Sequence, residues 1–210
     1  MPADLAIVFD NLLQLVGAFI VFSLARIAYR GLKETRSATF LRLSLAFALL
    51  GVGFALSGIS GLAQLGLLPS LALFVSLFFI AAALFEVLGY FFLAFSHVID
   101  VVAGAQLLVV PSLVVTIASS ATVLKSVSVL LLLYGVVETT WTYSRNKRKD
   151  TLVIAIGFSL ITLGEFIRWF NLNLILPAEP IYVATSLLVK ILGFISLYIP
   201  VLRFSLRRLT

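Results

Sequence analysis

The chain has 210 residues, of which 62% are hydrophobic and 11% charged, with a mean hydropathy of +1.19. Soluble domains average about 45–50% apolar and about 25% charged residues, so a water-soluble enzyme is excluded and an integral membrane protein is expected. The absence of Cys removes disulfides, thiolate metal sites and iron–sulfur clusters, and a single His removes a His-only metal site or a bis-His haem. The net charge of +6 needs no nucleic-acid partner, because Lys and Arg in membrane proteins mark the cytoplasmic loops.

A bilayer crossing takes about 20 mostly apolar residues. Seven segments meet that length, at about 5–27, 39–59, 71–96, 101–118, 121–143, 151–172 and 181–204. The fourth is the shortest and holds Pro111. Loops are short and leave no room for a soluble domain. The opening Met-Pro-Ala-Asp-Leu has neither a positive start nor a small-residue cleavage site, so the first span is expected to be retained.

Orientation follows from the basic residues. Arg26, Arg30, Lys33, Arg36 and Arg42 follow or flank the first span, Arg145, Lys147, Arg148 and Lys149 the fifth, and Arg203, Arg207 and Arg208 the seventh. That is 12 of the 15 Lys and Arg, all at the exits of odd-numbered spans. The expected topology has the amino terminus outside and the carboxyl terminus in the cytoplasm, in a prokaryotic plasma membrane. Omitting the fourth span would put the middle basic cluster on the wrong side, so seven is the consistent count.

The two halves resemble one another. Glu86-Val-Leu-Gly-Tyr aligns with Lys190-Ile-Leu-Gly-Phe, Leu50-Gly51 with Leu163-Gly164, and Tyr29 and Lys33 with Tyr143 and Lys147. Duplication of a three-helix unit accounts for the common order. The expected fold is all-α: one transmembrane domain over 1–210, with repeat one at 5–97, a linker helix at 101–118 and repeat two at 121–206. An odd linker makes the repeats parallel, in a 3+1+3 bundle. In topology alone this layout resembles the SWEET sugar transporters, while the Pro-Gln dipeptide of the related PQ-loop proteins does not occur.

Ionisable residues inside spans cost at least ~2.5–3.5 kcal/mol each, and each therefore asks for a reason. Glu86 and Lys190 occupy equivalent repeat positions near the midplane. They share faces with small residues and with Tyr90 and Ser186, which predicts a direct Glu86–Lys190 ion pair across the repeat interface. Glu165 and Arg168, three residues apart beside Trp169, read as a local pair at the outer interface. Lys125 reads as snorkelling outward from the start of its helix, and Asp10 and Gln14 as reaching headgroups. Glu138 reads as an interfacial carboxylate near Trp141 and Arg145, and His97 and Asp100 as closing the third span at the surface. Pro111 and Pro200 predict kinks. The basic runs also suit anionic lipid headgroups.

A carboxylate on the third span and a lysine on the seventh are similar to the rhodopsins, where the lysine holds retinal and the carboxylate is its counterion. That resemblance rests on Glu86 and Lys190 alone and implies an alternative, less favoured function as a retinal protein. The leading expectation is a small transporter or channel-like protein whose solute or ion path includes Glu86, Lys190, Glu165, Arg168, Tyr90 and Ser186. The competing one is a non-catalytic subunit or sensor within a larger membrane complex, or a homo-oligomer. No enzymatic activity, no cofactor, no metal and no nucleic acid are expected, and the lipid bilayer is the certain partner. The missing Cys, single Met and few amides suit a thermophile.

Overall fold

The computed structural model describes residues 3–96, 121–173 and 180–206, and all of them fall into helices and tight turns. Six long helices follow one another: α1 (Ala3–Thr35), α2 (Ala38–Gln64), α3 (Val75–Ala94), α4 (Ala121–Asn146), α5 (Lys149–Asn173) and α6 (Pro180–Leu206). Each is long and apolar enough to cross a membrane, so the chain is a multi-pass integral membrane protein. The expected linker helix at 101–118 with Pro111, together with His97 and Asp100, lies outside the described residues. Pro200 interrupts the backbone ladder of α6 near its basic end.

The helix ends are built from specific turns. After α2, Gly66 takes the left-handed conformation (φ 73°), its N–H donates to Ala63, and the Leu67 N–H donates to Leu62, closing a Schellman cap before a 3-10 turn over Pro69–Phe74. The α1–α2 and α4–α5 elbows share another construction. Arg36 (φ 52°) and Lys147 (φ 50°) stand in the left-handed region, and their N–H groups donate 2.8 Å bonds to Leu32 and Tyr143. The next helix then opens with Leu41 N–H to Ser37 at 3.2 Å and Leu152 N–H to Arg148 at 3.1 Å. A bulky residue at positive φ costs about 1–2 kcal/mol. A cation at a helix carboxyl end offsets part of that cost, because it meets the negative end of the macrodipole.

The two elbows are built alike at an offset of 111 residues, Leu32, Arg36 and Ser37 against Tyr143, Lys147 and Arg148, whereas the alignment read from the sequence pairs Tyr29 and Lys33 with Tyr143 and Lys147. Both of those pairs place a Lys over a Tyr ring, at 5.0 Å for Lys33 on Tyr29 and 5.5 Å for Lys147 on Tyr143.

The packing has a reciprocal pattern. α2 packs against both α1 and α3, and α5 against both α4 and α6; between these sets, α1 meets α6 and α3 meets α4. A continuous core of Leu24, Phe47, Leu50, Phe54, Phe158, Ile161 and Phe194 runs through the contacts, with Phe54 and Phe194 edge to face at 5.8 Å. Large apolar side chains such as Phe19 (74% exposed) and Leu130 (65%) point outward, as lipid-facing residues do. α3 and α4 run in the same direction: Glu86 meets Lys125, and nine residues further along both helices Phe95 stacks on Tyr134 at 5.4 Å.

Candidate functional site

Twelve of the fifteen basic residues belong to the three clusters read from the sequence; of the other three, Lys125 and Lys190 are buried and Arg168 is half-buried beside them. Glycines let them meet. A Cβ on Gly164 would lie 2.5 Å from the Ser186 carbonyl oxygen and 2.6 Å from Lys190 Cγ, so only glycine allows α5 and α6 this close. The neighbouring Glu165 is thereby brought to Lys190.

The result is a chain of alternating charges. Glu86 on α3 pairs with Lys125 on α4; Lys125 also pairs with Glu165 on α5 at 2.9 Å; and Glu165 pairs with Lys190 on α6. Glu165 and Lys190 are fully buried, Glu86 is 1% exposed and Lys125 4%. The Lys190 ammonium also stands 5.6 Å from the Phe54 ring centre, a cation–π contact strengthened by desolvation. Two carboxylates and two ammonium groups make the row neutral. Isolated charges at this depth would be prohibitive, whereas alternating pairs offset much of one another's desolvation cost.

Three expectations change. Glu86 and Lys190 are members of one network but not direct partners, since Lys125 and Glu165 stand between them. Glu165 and Arg168 are not an isolated interfacial pair: Glu165 faces the two lysines, and no ion pair of Arg168 occurs among the described residues. Lys125 does not snorkel outward but turns inward as the bridging cation. Lys125 escaped a sequence reading because its place four residues into α4 resembles an interface; its pull inward depends on carboxylates from two other helices. The usable signal was subtraction, since Lys125, Arg168 and Lys190 are the three cations topology does not need.

The remaining candidates distribute around this row. Tyr90, fully buried one turn after Glu86, stands beside Glu165. Ser186 is fully buried, but its hydroxyl donates to the Val183 carbonyl of its own helix at 2.7 Å. The Trp169 indole N–H donates to Ser126 Oγ at 2.8 Å and fastens α5 to α4. Gln14 is buried, not headgroup-facing (1% exposed).

A cavity of about 880 Å³ opens at the basic end, between the two elbows and the end of α6. Ser37, Phe40, Thr151 and Pro200 line it, with Arg148 and Arg203 at its rim. Arg203 reaches Asp150 there at 3.3 Å, with both side chains open to solvent. No protein-family model, no curated protein and no solved structure matches the chain.

Proposed function

We propose that this chain is a small, non-enzymatic membrane transporter, built from two parallel three-helix repeats joined by a seventh crossing, with its amino terminus outside. The observation that carries the reading is the buried row Glu86–Lys125–Glu165–Lys190, which draws on helices from both sets. Fully buried charge in a bilayer is expensive, and an ionisable residue there is read by default as part of a functional site. Lys125 shares itself between Glu86 of one set and Glu165 of the other, so small rocking of the sets would shift it from one carboxylate to the other.

Further features support the architecture. The parallel course of α3 and α4 supports an odd number of crossings in this reading. The twin elbows, the reciprocal α1–α6 and α3–α4 contacts, and a cavity between the elbows suit duplicated halves meeting at a path. The basic rim of that cavity suits a cytoplasmic opening.

Because the chain lacks Cys, accessibility can be read without background. In oriented vesicles, Ser186→Cys beside Lys190 should react with a small impermeant thiol reagent from each side in turn, as alternating access requires. A position that stays unreactive from both sides would instead indicate a static subunit core.

A further inference from the structure

The outer flank of the charge row holds polar atoms that nothing in the protein satisfies. Asp10 Oδ1, Asn11 Nδ2 and Gln14 Oε1 on α1, and Arg168 Nη1 on α5, are each shut off from solvent without a hydrogen-bond partner. Gln14 and Asn11 are 1% and 3% exposed. At hydrocarbon depth an orphaned polar group costs several kcal/mol, and native proteins rarely leave several together. Asp10 and Gln14 lie one turn apart on α1, about 10 and 16 Å from its first residue, and Arg168 about 8 Å from the last residue of α5. Asp10 lies within electrostatic reach of both Arg168 and Lys190, yet forms no ion pair with either. These four orphans comprise one anionic and one neutral acceptor, and one cationic and one neutral donor; the Tyr90 hydroxyl, also without a partner, is a neutral group that can do either.

That inventory selects a ligand class. A simple anion would leave the Asp10 carboxylate facing it, and a metal cation would meet Arg168 and Lys190. Water would satisfy the two amides, but would leave the half-buried Arg168 guanidinium and Asp10 carboxylate near one another without an ion pair. We propose that this flank binds a small zwitterion of the amino-acid class, its ammonium on Asp10 and the Gln14 carbonyl, its carboxylate on Arg168 and the Asn11 amide. Binding would satisfy both charges and both amides at once, and would place the ligand directly outside Lys190. The inference rests on the transport reading of the same cluster and adds the substrate class to it.

Trp169 neighbours Arg168, while Trp141 lies towards the basic end of α4, so Trp141→Phe leaves a fluorescence reporter at the site. The detergent-purified full chain carrying that change should show a saturable signal with glycine, alanine, leucine or glutamine. Acetate and methylamine, each half of the ligand, should bind at least about tenfold more weakly. Asp10→Asn and Arg168→Gln should each weaken binding at least about tenfold while leaving the helical circular dichroism unchanged. No saturable response to any of these zwitterions up to about 10 mM, which corresponds to water filling the flank, would overturn the proposal. Binding by both variants as tight as that of the chain with Asp10 and Arg168 intact would overturn it too. If Ser186→Cys still reacts from both sides when no zwitterion binds, transport stands and only this ligand class falls.

Discussion

The α2–α3 and α5–α6 hairpins use one packing device and reach opposite electrostatic outcomes. In the first, Gly53 sits against Glu86 and Gly89 against Leu50 and the Ala46 carbonyl; in the second, Gly164 sits against Lys190 and Gly193 against Ile161 and the Gly157 carbonyl. The residue after the notch decides the difference. In α5 it is Glu165, which neutralises Lys190 within its own hairpin; in α2 it is Phe54, which offers Glu86 no charge. Glu86 must therefore look outside its hairpin, and it finds Lys125 on α4. A self-sufficient pair holds one hairpin together, whereas an unmet charge on the other ties the two helix sets to each other.

The comparison breaks most visibly at Glu165, which answers two lysines. Glu165→Gln should cost about 3–5 kcal/mol, more than any other single change in the row, because it strips Lys190 of its carboxylate and leaves Lys125 with Glu86 alone. Thermal unfolding in detergent would measure it, and a loss no greater than that of Glu86→Gln would mean the hairpins do not differ as described.

A double-mutant cycle sharpens the point about the outside partner. Glu86→Gln and Lys125→Met should couple by about 1–3 kcal/mol, while Glu86→Gln with Lys190→Met should couple less, since those residues do not touch. Equal coupling in both cycles would restore Glu86–Lys190 as the working pair.

The glycine notches should rank as well. Gly164→Ala drives a methyl group onto backbone and should cost about 1–3 kcal/mol. Gly53→Ala meets its nearest atoms at 3.0 Å and beyond, and should cost less in the same melting assay. The smallest effect belongs at the solvent-open rim: Asp150→Asn should change stability by no more than about 1 kcal/mol, the usual ceiling for an exposed ion pair.

What the sequence made legible divides along a physical line. Span lengths, the basic ends and the glycine-rich faces of the third and last helices depend on neighbours along the chain, and periodicity records them. That Glu86, Lys190 and Glu165 are charges inside apolar spans was also readable, because such a charge is conspicuous by itself. Their pairing was not. Which carboxylate Lys190 meets depends on how closely α5 approaches α6, set by Gly164 on one helix and Ser186 on the other. The likeness of the two elbows was hidden for a related reason: aromatic–lysine neighbours recur along helix ends, while the left-handed Arg36 and Lys147 look unremarkable as letters.

The order of the row along the chain bears on how the protein is made. Its four buried charges emerge as Glu86, Lys125, Glu165 and Lys190, negative and positive in turn. Helices enter the bilayer as synthesis proceeds, at about 5–20 residues per second. The running total over these four therefore alternates between one uncompensated charge and none, and each lysine-bearing span carries the counter-charge for the carboxylate already waiting. Exchanging the identities of Lys125 and Glu165 would preserve composition, yet leave two like charges in the membrane for the whole interval before the next span arrived. Nascent-chain insertion assays would register that as stalled or inverted spans, in a protein whose finished inventory of charges is unaltered.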